Sequence, residues 1–347
     1  MARLDELFQV MIKEGASDLH VSSGYPPFFR VHGHMVKLNS SMLSPQKAEK
    51  LITETMSEDQ LQIFRDKLEL DWSYTIPGTA RFRANAFLQI EGMGAVYRLV
   101  PNKIKSLDEL GLPEALKMLA DQPKGLVLVT GPTGSGKSTT LAALIQHINL
   151  TRKEHVITIE DPIEYLHKGV NCLINQREVS RHTHTFSNAL RSALREDPDV
   201  ILVGEMRDLD TISLTLTAAE TGHLVFGTLH TNNAAKSIDR VVDSFPADHQ
   251  SQARVMLSES LIGVVAQTLL PRSDRPGQVA AFEVMIATPA IRNLIRENKS
   301  FQIPSVIQTS SRQGMTGFES SIKALVDQGI VSANTAASFL PSLNPSS

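Results

Sequence analysis

The run Gly131-Pro132-Thr133-Gly134-Ser135-Gly136-Lys137-Ser138, continued by Thr139, places one lysine and two hydroxyl groups at the end of a glycine-rich loop. It matches the pattern G-x-x-x-x-G-K-[ST] in full and has the flanks that pattern requires: an apolar, strand-like stretch at 126–130 and a helix-forming stretch at 138–148. Glycine at 131, 134 and 136 permits backbone conformations that a Cβ forbids, so successive N–H groups can turn toward an anion beside a helix N-terminus. Lys137 brings a positive charge to β and γ phosphates, and Ser138 brings a hydroxyl to Mg²⁺. Gly131, Pro132, Thr133, Gly134, Ser135, Gly136, Lys137, Ser138 and Thr139 are therefore the expected nucleotide contacts. The Asn-Lys pairs at Asn102-Lys103-Ile104-Lys105 and Asn298-Lys299-Ser300-Phe301 lack the Asp that guanine recognition needs, so the nucleotide expected is ATP.

Hydrolysis of a phosphoanhydride needs a metal anchor and a carboxylate that orients or deprotonates water. Two strand ends offer them. In Ile157-Thr158-Ile159-Glu160-Asp161-Pro162-Ile163-Glu164 three carboxylates leave an apolar strand, with Pro162 enforcing a turn at the end where open α/β sheets bind ligands. In Val200-Ile201-Leu202-Val203-Gly204-Glu205 an apolar strand ends in an acid, with Gly204 where an aspartate is usual, so Glu205 carries the role alone or with Asp161. Ser138, Asp161 and Glu205 are the expected metal group, and Glu164 or Glu205 the expected activator of water, with Glu160 a further candidate. A third cluster, 221–232, brackets a strand with His223 and His230, and His230 at the strand end is placed to sense a phosphate. No H-E-x-x-H or paired cysteines accompany them, which argues against metal ligation.

These residues need a parallel sheet to hold them. Strand-like runs at 126–130, 155–159, 200–203 and 224–228 alternate with helical patterns at 138–148, 186–195 and 211–221, the signature of a largely parallel, helix-covered sheet. Continuous apolar runs such as Val200-Ile201-Leu202-Val203 suit strands buried on both faces. Residues 1–100 read as a small α+β domain, with extended segments at 28–31 and 81–88 and a helix at 44–55. Residues 101–123, with Pro101, Pro113 and Pro123 around a short amphipathic helix, read as a linker, and 124–347 as the nucleotide domain, mostly helical from 238 to 336.

The bulk properties agree. A chain of 347 residues has room for two cores, and 41% hydrophobic with 20% charged residues is a globular composition. A net charge of -3 argues against holding nucleic acid by bulk electrostatics. No apolar run is long enough to span a bilayer, and Asp5 and Glu6 stand where a signal peptide would be apolar, so a cytoplasmic chain is expected. The single cysteine, Cys172, permits neither an internal disulfide nor a four-cysteine zinc site.

In order and spacing, the cradle, the acidic box from Glu160, the strand ending at Gly204-Glu205 and the histidine box from Thr221 resemble the secretion ATPase superfamily of type II secretion and type IV pili. Ala16-Ser17-Asp18-Leu19-His20 and Ala290-Ile291-Arg292-Asn293-Leu294-Ile295-Arg296-Glu297 are its most specific pieces. The latter is similar to the motif of the retraction, or twitching-motility, branch. The resemblance implies an α/β fold, a RecA-like P-loop ATPase domain with a smaller N-terminal α+β (PAS-like) domain, assembled as a homohexamer. It implies that Arg83 and Arg98, with Arg81 a further candidate, bring guanidinium groups to the phosphates. Implied partners are an inner-membrane pilus platform protein and a paralogous retraction ATPase, with the chain docked on the inner face of the cytoplasmic membrane through them and no direct nucleic acid. Read by its own periodicity, the segment 290–297 is a surface helix burying Ile291, Leu294 and Ile295 and turning Arg292, Asn293, Arg296 and Glu297 outward. An accessory paralogue of the retraction ATPase or another secretion-type ATPase is the nearer competing reading, and a DNA-translocating RecA-like motor and a non-hydrolysing ATP-gated adaptor are the remote ones.

Overall fold

Alternation along Ala80–Gln89 puts Phe82, Ala84 and Ala86 on one face of a strand and Arg83 and Asn85 on the other, which is how one half-buried sheet face is built. The computed structural model describes residues 3–31, 33–100 and 104–340. It divides into two units, Met1–Lys103 and Ile104–Ser347, each with its own sheet. Pro101, Asn102 and Lys103 of the expected linker, and the polar end 341–347, lie outside the described residues.

In the first unit, helix α1 (Leu4–Lys13) precedes β1 (Asp18–Ser22), β2 (Phe28–Val31) and β3 (His34–Lys37). Helices α2 (Pro45–Thr53) and α3 (Glu58–Lys67) follow, then β4 (Glu69–Ile76), β5 (Ala80–Gln89) and β6 (Gly92–Val100). The antiparallel sheet has the order β3-β2-β1-β6-β5-β4. Phe8 of α1 stacks on Phe82 at 4.1 Å and meets the edge of Tyr97 at 5.1 Å. Buried Thr55 satisfies two polar aromatics of this core, accepting the Trp72 indole N–H at 3.0 Å on its carbonyl and meeting the Tyr97 hydroxyl at 3.0 Å.

In the second unit, α4 (Glu114–Ala120) leads to β7 (Gly125–Thr130), α5 (Lys137–Thr151), β8 (His155–Glu160), β9 (Leu173–Glu178) and α6 (Phe186–Ala193). Then come β10 (Val200–Val203), α7 (Leu209–Glu220), β11 (Leu224–Leu229), α8 (Ala234–Asp243) and α9 (Gln250–Ser260). Strands β12 (Leu261–Pro271) and β13 (Gln278–Ile286), with α10 (Pro289–Arg296), α11 (Ile303–Thr309), α12 (Phe318–Asp327) and α13 (Ala333–Phe339), complete it. The sheet order is β13-β12-β7-β11-β10-β8-β9, parallel except where β13 pairs with β12. Every residue of β7, β10 and β11 is buried because both faces are covered. Leu126 and Leu128 pack with the core of α6 to α11, and Val127 and Val129 with that of α4 and α5. Local caps start the helices that frame the site: Thr185, Asp208 and Asn233 accept the N–H three residues on and begin α6, α7 and α8.

Three expectations are corrected. From Ile104 onward the supposed linker belongs to the second unit, since Leu107, Leu116 and Leu119 are buried in its core. The stretch from 238 is not mostly helical at its centre: β12 and β13 extend the sheet there, because an apolar run buried on both faces carries no period that separates strand from helix. Arg292 does not point outward. Its guanidinium is half-buried and donates to Ala287 O at 3.0 Å, to Glu259 O at 2.8 Å and to Ser258 O, capping the last turn of α9. Among the described residues no helix is long and apolar enough to cross a membrane.

Candidate nucleotide site

The cradle leaves β7 at Gly131 and enters α5 at Lys137. Gly131 has φ 143°, Gly134 φ 78° and Gly136 φ 88°, so each occupies backbone space that a side chain resists. At Gly131 the reason is also steric: a Cβ would fall 2.3 Å from the carbonyl oxygen of Gln267 on β12. The Gln267 side chain reaches the same loop, its Nε2 donating to Ser135 O at 2.6 Å. Lys137 Nζ donates to Gly131 O at 2.7 Å and Pro132 O at 3.0 Å, which curls the loop over the lysine. Thr139 Oγ1, one residue past Ser138 in the first turn of α5, lies 2.9 Å from the Tyr165 hydroxyl.

Charge balance brings the predicted acids to this lysine. Burial lowers the affinity of the Lys137 ammonium for its proton, and the carboxylates of Glu205 and Glu164 oppose that shift. Glu205 is gripped at both oxygens: Oε2 lies 2.6 Å from Arg207 Nη2 and Oε1 lies 3.1 Å from His230 Nε2. The Arg207 guanidinium holds the Glu205 carboxyl below the usual range, against the effect of burial. Arg207 also feels the charge of Asp161. The structure thus gathers Lys137, Asp161, Glu164, Glu205 and His230 around the cradle, with Arg207 among them.

Glu160 is differently engaged. Its Oε1 accepts the Thr158 hydroxyl at 2.6 Å and Gln176 Nε2 at 3.2 Å, and burial raises its pKa. Gly204, in the place of an aspartate, has a packing cause: a Cβ there would stand 2.9 Å from Ile159 O, to which the Gly204 N–H donates at 2.7 Å. The Thr228 hydroxyl donates to Gly204 O from the other side, so the turn that aims Glu205 is fixed by both neighbouring strands.

Arg83 and Arg98 lie in the first unit, directly opposite each other on β5 and β6. Arg98 Nε donates to Asp18 at 2.7 Å, and Asp18, from the Ala16 to His20 motif, is almost fully buried while Arg98 is mostly exposed. Arg81 is buried, its Nη2 donating to Ser73 Oγ at 3.0 Å.

Sequence reasoning missed Gln267, Arg207, Tyr165 and Gln176. The signal for Arg207 is visible, an opposite charge two residues beyond Glu205. The signal for Gln267 is fainter, a lone amide inside an apolar run, which must find a partner if the run is buried.

A parallel sheet with a glycine cradle between its β7 strand and a helix, and with acids at the ends of neighbouring strands, defines a RecA-like P-loop nucleotide-binding fold, here with an N-terminal α+β domain. The family model described as type II/IV secretion system protein matches residues 1–338, and the chain belongs to that family. It is 56% identical to a Pseudomonas aeruginosa protein named type IV pilus retractation ATPase PilT, over 96% of both chains. It is 54% identical to the twitching motility protein of Neisseria gonorrhoeae, over 89% of this chain and 83% of that one. Among solved structures, the pilus retraction motor PilT with bound ADP superposes with a TM-score of 0.92 at 45% identity, covering 98% of this chain and 97% of that one.

Proposed function

We propose that this chain is an ATP-hydrolysing motor that powers type IV pilus retraction, and so twitching motility. The observation that carries the reading is the near full-length identity to a retraction ATPase, with the phosphate cradle intact and Lys137 under the charges of Glu164 and Glu205. The cradle N–H groups and Lys137 bind the triphosphate tail. Ser138, with the Glu205 and Asp161 carboxylates, suits a hard divalent cation, since hydroxyl and carboxylate oxygens are the donors magnesium takes. The ion's remaining oxygen ligands would come from the phosphates and water. When bound, Mg²⁺ would offset phosphate charge. Glu164 orients the attacking water and takes its proton, Glu205 anchors, and His230, tied to Glu205, registers the γ-phosphate. Arg83 and Arg98 serve the phosphates as guanidinium donors. The working unit is a homohexamer acting on a membrane platform protein and alongside a paralogous ATPase, at the inner face of the cytoplasmic membrane. Work requires ATP and ADP to favour different conformations of the chain.

A deletion strain scored for pilus number and twitching tests this. Excess pili with lost twitching, restored by the parent chain and not by Lys137→Ala, is the expected result. Purified Lys137→Ala should lose ATP turnover by about 100-fold or more. Full twitching in the deletion strain would overturn the retraction role.

A further inference from the structure

We infer that Tyr165 is a positioning residue which, together with Asn149, fastens the loop carrying Glu164 to the helix that begins at the phosphate cradle. The inference rests on the role proposed above for Glu164.

Glu164 lies beyond the end of β8, in a stretch, 161–172, without helix or strand of its own. Such a segment holds a carboxylate accurately only if something outside it pins it. α5 does so at two points. In its first turn Thr139 Oγ1 meets the Tyr165 hydroxyl at 2.9 Å. In its last turn the fully buried Asn149 uses both ends of its amide, Nδ2 donating to Lys168 O at 2.8 Å and Oδ1 accepting the Val170 N–H at 2.8 Å. In addition, Gln176 of β9 donates to Tyr165 O at 2.9 Å and accepts the His167 N–H at 2.8 Å. The helix that starts at Lys137 thus carries the Glu164 loop, so cradle and acid share one rigid reference.

Glu164 adjoins Tyr165, and consecutive Cα atoms are about 3.8 Å apart, so a bond at the tyrosine hydroxyl limits the travel of the carboxylate. Misplacing a reacting group by about 1 Å costs up to about 100-fold in rate. Thr139 is also a candidate nucleotide contact, and a hydroxyl can accept from Tyr165 while donating elsewhere. The tyrosine therefore fixes the neighbouring acid while leaving the threonine hydroxyl proton for the nucleotide.

Tyr165→Phe removes one oxygen and preserves the ring. We expect kcat to fall about 5- to 10-fold, with KM for ATP and the affinity for ADP changed less than about two-fold. On a Glu164→Gln background the same substitution should change the residual rate by less than about two-fold, because the group it positions is already gone. Parental kcat in Tyr165→Phe, or equal losses on both backgrounds, would overturn the inference. A Glu164→Gln chain with parental kcat would remove Glu164 from the chemistry and the inference with it, a failure of the proposed mechanism that is distinguishable by that single variant. ADP titration of each variant shows that the cradle is folded.

Discussion

Gln267 and Ser135 are joined across 132 positions of sequence: the glutamine Nε2 donates to the serine carbonyl at 2.6 Å in a buried setting. β12 thereby forms a floor under the phosphate loop, and its backbone comes so near that only glycine fits at 131. Gln267→Leu leaves the Ser135 carbonyl without this donor, at about 1–3 kcal/mol. Its ADP affinity should fall about 10-fold by titration of a fluorescent analogue, a loss within that energy. Gly131→Ala should bind no measurable ADP, since its Cβ meets backbone rather than a movable side chain. Parental affinity in Gln267→Leu would show that the loop holds its own shape.

The cradle was legible in the sequence because its pattern carries its own context, a strand before and a helix after. β12 was not, because Leu261 to Leu270 is apolar on both sides and periodicity is silent there. Arg292 shows a different limit. The spacing of Ile291, Leu294 and Ile295 correctly identifies a helix, but the position of a residue off its apolar stripe says nothing about a neighbouring helix end that comes to meet it. Gly204 is a third case: the missing aspartate reads as a departure until the Ile159 carbonyl beside it is seen.

Arg292 ties α10 to the last carbonyls of α9, so removing it exposes a helix end rather than a free surface charge. Arg292→Ala should lower stability by about 1–3 kcal/mol, seen as a lower denaturation midpoint. Arg292→Lys should recover only part, since an ammonium lacks the planar fork that spans Ala287, Ser258 and Glu259. An unchanged midpoint in Arg292→Ala would mean that the cap is idle and that the residue acts outward.

His167 gives the fold a response to acid. Burial pushes its ring down from 6.5 to about 4. In the unfolded chain the ring takes a proton near pH 6.5, while the folded chain refuses it until about pH 4, so stability is complete above pH 6.5 and drains as pH falls through that window. With the ring only partly shielded, the loss is about 2 kcal/mol. Denaturation midpoints at pH 7.5 and 5 should differ more in the parent than in His167→Gln. Equal differences would place the acid sensitivity elsewhere.

The way Glu205 is held sets its role apart from the one proposed for Glu164. Glu205 has Arg207 on one oxygen and His230 on the other, and a carboxylate so neutralised is a weak proton acceptor but a well-fixed anchor. Glu164 sits on a loop pinned through its neighbours, and its charge acts on Lys137. Glu205→Gln should therefore raise the Mg²⁺ concentration needed for half-maximal turnover by about 10-fold, as loss of one anchoring charge implies. Glu164→Gln should lower kcat by about 100-fold with the Mg²⁺ dependence unchanged. Titrating Mg²⁺ against turnover for both variants decides the matter: if Glu164→Gln shifts the metal curve and Glu205→Gln lowers only kcat, the two roles are exchanged.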